Sequence, residues 1–322
     1  MKNFRIVFIL MALLQFTACE KEILFEEAES DPMLVVNGIQ KVGEPARLNV
    51  ERSSFYIDAE RDFRVANVVA DLYVNGAFKE TLQVRDSMHF EYYEDWETGE
   101  IQEELQYGFT YCEGTYLLCE GDDLRFEVRS SDFKETAVAE VKMPSTPNVI
   151  SFDTIRMSYS EQSNYTTVYF KLKISDPTGP DFYNLNPEDA MVGFFTNDPV
   201  FTDITSFEDV DDLFGVTDYY GYGAYNAFKD DYFDGKEYSL TLSVMVYGEE
   251  LEDPFIMHVS RVDEALYRYL NSYRAYEQTN PDGLLGMFTE PVQVYSNVQN
   301  GIGVVCAQSL PVTFTINLTS DL

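Results

Sequence analysis

The sequence predicts a chain dominated by β-structure, and three observations carry that reading. Tyr and Phe are abundant, 23 and 24 of 322 residues, and both favour pleated, half-buried surfaces. Short runs of alternating apolar and polar residues recur from residue 34 onward, the period-2 mark of strands with one buried face. Only one stretch carries the period of an amphipathic helix. At 45% hydrophobic residues the chain can fill packed cores, and its length gives two domains as a prior.

Residues 32–145 read as the first domain. "MLVVNGIQ", "ARLNVER", "VANVVADLYVNGAFKETLQV", "LRFEVRS" and "TAVAEVKMP" are strand-like runs separated by turns. Asn75-Gly76 lies between two such runs, and both residues tolerate the positive φ of a tight hairpin. Short strands and turns in this arrangement predict a β-sandwich resembling immunoglobulin or fibronectin type III modules. Arg85 to Gly108 interrupts it as a long hairpin or loop, which holds the sole tryptophan, Trp96. "MPSTPNV", Met143 to Val149, has two prolines within four residues and reads as a linker.

Residues 146–322 read as a second β-rich domain. "VYFKLKISD" puts Val168, Phe170, Leu172 and Ile174 on one face, and "EYSLTLSVMVYG" does the same with Tyr238, Leu240, Leu242, Val244 and Val246. "LPVTFTINL" repeats the pattern through Val312, Phe314, Ile316 and Leu318. The helix is expected over residues 260–278, with Ser260 as its cap and Val262, Ala265, Leu266, Tyr269, Leu270 and Tyr273 on one stripe. Its tyrosines read as core and rim. Asp176 to Lys236 is the least regular region, rich in Asp, Gly, Tyr and Phe. A loop of that length in a compact domain is usually functional or disordered, and its aromatics argue against disorder. Trp96, Tyr219, Tyr220, Tyr222 and Tyr225 are therefore the candidate binding-loop residues.

The N-terminus reads as a leader. Lys2 and Arg5 precede the apolar run "IVFILMALL", which is too short to span a bilayer as a helix. "FTAC" resembles a lipobox, which makes residues 1–18 a signal peptide and Cys19 the lipidated residue of the mature chain. Residues 19–31 then form an acidic tether. Two or more acyl chains, at about 0.8 kcal/mol per buried methylene, anchor a protein stably without a spanning segment. "CEKE" resembles the short Lys-plus-acid signal that directs lipoproteins of Bacteroidetes to the cell surface.

The chain has 22 basic and 56 acidic residues, a net charge of −34, which excludes nucleic acid as a partner because phosphate must be met by Lys and Arg. Three cysteines follow Cys19. A Cys112–Cys119 disulfide would close a small loop and contribute roughly 2–2.5 kcal/mol, leaving Cys306 in an apolar strand as a buried structural thiol. His89 and His258 lie beside no nucleophile motif and read as structural or exposed. "DDYFDG" sets Asp230, Asp234 and Gly235 at the first, fifth and sixth places of a calcium loop, but its third and twelfth places do not fit. A turn leading into a strand is the favoured reading; a Ca2+ site at Asp230, Asp231 and Asp234 is the alternative.

Several stretches together resemble one family. They are Cys19 in its lipobox, "LVVNG", "VANVVADLYVNG", "AEVKMPSTPNV", "KLKISDPTGPDFYNL", "FDGKEYSLTL", "SRVDEALYRYLNSY" and "EPVQVYSNVQNGIGVV". The family is that of Bacteroidetes lipoproteins with domain of unknown function 4249. The resemblance implies an outer-membrane, surface-facing lipoprotein, in the context of TonB-dependent receptors and nutrient uptake. No catalytic residues come with it, so a non-enzymatic accessory or ligand-binding role is expected. The alternatives are a structural or adhesive surface protein and, less favoured, a carboxylate-based hydrolase.

Overall fold

The alternating runs become strands. The computed structural model describes residues 31–54, 62–94, 101–162, 164–188, 194–204, 219–221, 226–247, 254–278 and 292–316. The first eight strands are β1 (Leu34–Lys41), β2 (Pro45–Arg52), β3 (Val69–Val74), β4 (Ala77–Thr81), β5 (Gln83–Glu94), β6 (Ile101–Leu117), β7 (Asp123–Arg129) and β8 (Ala137–Lys142). After them come β9 (Val149–Ser160), β10 (Tyr165–Ser175), β11 (Phe182–Pro187), β12 (Phe194–Thr196), β13 (Tyr219–Gly221), β14 (Asn226–Lys229), β15 (Glu237–Tyr247) and β16 (Phe255–Val262). Helix α1 (Glu264–Gln278), β17 (Val305–Gln308) and β18 (Val312–Ile316) complete the fold. None of the described helices is long and apolar enough to cross a membrane.

One long sheet organises these elements. Its order is β14-β11-β16-β17-β1-β2-β6-β5, with β18 also paired to β16. It therefore draws strands from both sides of residue 145, and residues 32–322 form one compact unit. A four-stranded sheet, β4-β3-β7-β8, covers the β1-β2-β6 part and encloses a core that includes Leu34, Val36, Leu48, Val50, Leu72 and Phe126. A five-stranded sheet, β13-β12-β15-β10-β9, covers the β11-β16 part around Phe152, Phe170, Tyr183, Leu185, Met257 and Val259. Side chains alternate along a strand, so the remaining residues point to the opposite face. There α1 packs, burying Ala265 and Leu266 against Phe182, Val262, Val304 and Cys306. Two sandwiches thus share a long sheet, with the helix on its other side.

The helix begins later than the sequence pattern predicts. Ser260 and Val262 belong to β16, and Asp263 is the cap: its Oδ1 accepts from the Leu266 amide at 3.0 Å. The same oxygen accepts from the Ala307 amide at 3.0 Å, tying the helix start to β17. Arg85–Gly108 is a hairpin, with β5 and β6 paired from Gln83↔Glu113 to Glu94↔Ile101. The hairpin at Asn75-Gly76 has the φ values expected, 51° and 79°. Met143–Asn148 is irregular and pinned in place, for Arg261 Nη1 donates to Ser145 Oγ at 2.5 Å.

The Asp176–Lys236 stretch is less irregular than its composition predicts. Its described residues supply β11, β12, β13 and β14 and a short 3-10 helix at Pro199–Ile204, and its Tyr183, Phe194, Phe201, Phe228 and Phe233 are fully buried. Those five rings are core material, while Tyr232 of the same stretch is exposed.

The chain ends meet through "LVVNG" and "NGIGVV". Val36 N donates to Ile302 O and Gly38 N to Val304 O, both at 2.9 Å, before β1 and β17 run parallel. Gly303 is required there twice over. Its φ is +115°, and a Cβ would stand 2.3 Å from Val36 O.

Candidate functional site

The face of the long sheet that carries α1 also carries a groove of about 540 Å³. The residues that build it are the outward half of each strand's alternation. In β2, Ala46, Leu48 and Val50 enter the core, which leaves Arg47, Asn49 and Glu51 on the groove side. In β6, Thr110 and Cys112 turn inward, which leaves Tyr107 and Tyr111 lining the groove. Leu266 and Tyr269 of α1 form the opposite wall, and Cys306 contributes to the floor.

Three tyrosines, Tyr107, Tyr111 and Tyr269, line it among polar and aliphatic groups. Outside the lining, Phe63 and Phe109 support the Tyr107 ring at 5.5 and 5.4 Å. Burial, together with a hydrogen bond to Glu51, drives the Tyr107 hydroxyl to stay protonated. Burial likewise raises Tyr111, against the opposing charge of Arg47. Arg47 Nε donates to Glu113 Oε1 at 3.0 Å, and that bond raises its already high pKa. The guanidinium is thus a fixed cation at the rim. Cys306 donates to Gly38 O at 3.7 Å, and burial pushes its thiol well above the usual range, so it is a poor nucleophile. The volume falls within the range of small-molecule sites, and rings with a few fixed polar groups suit a polar ligand with an apolar face.

The expected site residues are distributed differently. Trp96, Tyr222 and Tyr225 lie outside the described residues, as do residues 1–30 with Cys19. Tyr219 and Tyr220 lie in β13 on the edge of the five-stranded sheet, a different sheet from that of β1, β2 and β6, which line the groove. The Cys112–Cys119 disulfide is corrected: both thiols are free. β6 runs unbroken to Leu117, so the chain after Cys112 advances at about 3.4 Å per residue, carrying Cys119 beyond the roughly 7 Å limit for bridged Cα atoms. Cys112 is instead a buried core thiol raised by burial to about 12. His258 Nδ1 lies 2.8 Å from Thr313 Oγ1, and His89 is exposed on β5.

The "DDYFDG" stretch is a turn, with Gly235 at φ +68°. Its three aspartates separate. Asp231 pairs with Lys229 at 2.6 Å, and Asp234 Oδ1 accepts from the Gly179 amide at 2.8 Å. Asp230 turns inward and meets Asp176 and Asp181 from the β10–β11 connection, with one oxygen of each within 4.8 Å of the others. Asp176 accepts from the Tyr183 hydroxyl at 2.5 Å and from the Gly235 amide at 2.8 Å. Asp181 is paired with Arg261. Sequence reading missed Asp176 and Asp181. It missed the groove as well, although the alternating Tyr107-x-Phe109-x-Tyr111 stripe was the available signal.

Comparison with known proteins gives a family and little else. No curated protein matches the chain. Among solved structures, the 3.65 Å crystal structure of serine-rich repeat protein Srr2 from Streptococcus agalactiae is similar over 74% of this chain and 89% of that one. The identity is 10% and the TM-score 0.18, too low to support a fold or functional argument. Residues 20–310, nearly the whole described body, match one family, and the chain belongs to it: Domain of unknown function (DUF4249).

Proposed function

We propose that this protein is a lipid-anchored accessory subunit at the outer-membrane surface, which binds ligand for a TonB-dependent nutrient-uptake system. The observation that carries the binding role is the groove between β1, β2, β6 and α1, with Tyr107, Tyr111 and Tyr269 beside Arg47 and Glu51. Rings stack on the apolar face of a ligand, while the fixed charges orient its polar groups. The anchoring role rests on the leader and Cys19, and the family match begins at the next residue. A net charge of −34 keeps the body off anionic headgroups, so the acyl chains supply the membrane affinity.

The test is an affinity pull-down of the acylated protein from its native outer membrane, followed by mass spectrometry. A TonB-dependent receptor in near-equal amount is the expected result. That receptor's substrate is then titrated against the protein and its Tyr111→Ala variant, which is expected to bind at least tenfold more weakly, as for loss of one stacking ring in a desolvated site. Recovery of the protein alone, or equal binding by both forms, would overturn the proposal.

A further inference from the structure

The second feature is independent of the groove. The carboxylates of Asp176, Asp181 and Asp230 converge where the β10–β11 connection meets the β14–β15 turn. Asp176 and Asp230 are 6% and 2% exposed. Burial at this depth is costly for charge unless the charges are matched. Arg261 is the cation in contact: one end pairs with Asp181 and Nη1 donates to Ser145 Oγ, while its buried Nε has no acceptor among the described residues. Lys229, the nearest lysine in sequence, is turned to Asp231. Three carboxylates and one guanidinium leave a local charge of −2, the amount one divalent cation cancels.

Asp230 supplies the independent sign of a ligand. Its Oδ2 is buried and has no hydrogen-bond donor among the described residues. Native proteins seldom leave such an atom unmet. Two hydrogen bonds, from Tyr183 and Gly235, fix the Asp176 carboxylate. The backbone ties the two loops as well: Asp230 N donates to Asp181 O at 3.1 Å, and Asp176 N to Lys236 O at 3.0 Å. The three donor oxygens lie within 4.8 Å of one another, so a point between them is at most about 2.8 Å from each, and a closing shift of a few tenths of an ångström brings all three to Ca–O distance. All the donors are hard oxygens, and neither His nor Cys belongs to the set, which favours Ca2+ over zinc or copper.

We propose that Asp176, Asp181 and Asp230 bind a hard divalent cation of the Ca2+ type, which locks the β14–β15 turn onto the β10–β11 connection. The experiment uses the full chain in detergent, stripped with a chelator, in about 150 mM salt so that diffuse attraction to the acidic surface is screened. Ca2+ at about a hundredfold above its Kd is expected to raise Tm by at least about 4 °C. Asp231→Asn, which changes an exposed neighbour, keeps that rise, and Asp230→Asn loses it. As a second readout, Tb3+ bound beside Tyr183 gives tyrosine-sensitised emission that saturates at one ion per chain and is displaced by Ca2+. This measurement on the unsubstituted protein decides the matter if Asp230→Asn fails to fold. No Tm rise, a rise that survives Asp230→Asn, or Tb3+ emission that grows over many weak sites would each overturn the proposal.

Discussion

Phe126 and Phe170 are both fully buried, yet they sit in cores of different kinds. Among the described residues Phe126 is the one fully buried aromatic ring of the first sandwich, within Val, Leu and Ala, with Tyr116 and Phe133 packed against the cluster from its edge. Phe170 is stacked in the second, 5.1 Å from Phe152 and 4.9 Å from Phe255. Around it Tyr183, Phe194, Phe201, Phe228 and Phe233 continue the aromatic packing. The first core fills its space with branched aliphatics. The second takes its rings both from long strands, Phe152 in β9 and Phe170 in β10, and from the shorter elements and turns between residues 182 and 233. This difference gives a structural role to Tyr183, Phe194, Phe201, Phe228 and Phe233 of the aromatic region between 176 and 236.

The largest expected effect tests whether the rings contribute beyond their area. Phe126→Leu nearly conserves volume among aliphatic neighbours and is expected to cost about 1 kcal/mol. Phe170→Leu loses two ring–ring contacts as well, each about 0.5–1.5 kcal/mol, and is expected to cost about 2–4 kcal/mol. Urea unfolding of the two variants measures both. Equal costs would mean that the aromatic arrangement adds nothing, and the comparison would collapse to buried area.

A smaller effect separates the two cores by their polar groups. In the first, buried Gln40 bonds only to main chain: Nε2 donates to Arg47 O at 2.7 Å, and Oε1 accepts from Arg47 N at 3.1 Å. In the second, the buried Tyr183 hydroxyl serves a carboxylate. Tyr183→Phe keeps the ring and removes a donor to a charged acceptor, so its expected cost is about 1.5–3 kcal/mol. A denaturation midpoint unchanged from the parent protein would show that Asp176 is satisfied without Tyr183.

Local physics made some of this legible in the sequence. Val168, Phe170, Leu172 and Ile174 alternate without a break, and all four are buried. Asn75-Gly76 needed only its φ preferences. The helix start was misplaced because Ser260 also suits a cap, whereas Ser260 in fact follows the alternation of β16 and accepts from Gln308 Nε2. Long-range joints left no local mark. Asn37 Oδ1 accepts from Val304 N, a bond between opposite ends of the chain. The groove was hidden for the same reason: Arg47, Tyr111 and Tyr269 come from three distant segments, and none alone marks a pocket, Tyr269 reading as core or rim of the helix stripe. "DDYFDG" revealed Asp230 but not its partners, because Asp176 and Asp181 sit in a separate turn that only the fold brings near.

The two sandwiches should also answer pH with opposite signs. In the first, burial pushes Glu80 up, but the Thr115 hydroxyl and the Thr115 and Tyr116 amides outweigh it and hold the carboxyl below its usual range. Asp62 is lowered by its bond to Arg64, though its partial exposure weakens the effect. A lowered acid binds fewer protons in the fold than in the unfolded chain, so its stabilisation is present above about pH 4 and lost on further acidification. In the second, burial raises Asp230 to about 6, helped by Asp176, Asp181 and Asp234. Asp263, at the start of α1 on the other side of the long sheet, also rises to about 6 through burial despite its amide donors. A raised acid binds more protons in the fold, so its contribution is complete below about pH 4 and lost as pH rises through 6. Hydrogen exchange in chelator at pH 5 and pH 7, corrected for intrinsic rate, resolves the two regions. Protection of β10 and β15 is expected to increase at pH 5 relative to β3 and β7, and Asp230→Asn to shrink that increase. With saturating Ca2+ the increase is also expected to shrink, because the ion holds Asp230 ionised at both pH values. A parallel response of both sandwiches would remove the electrostatic half of the contrast and leave only the packing.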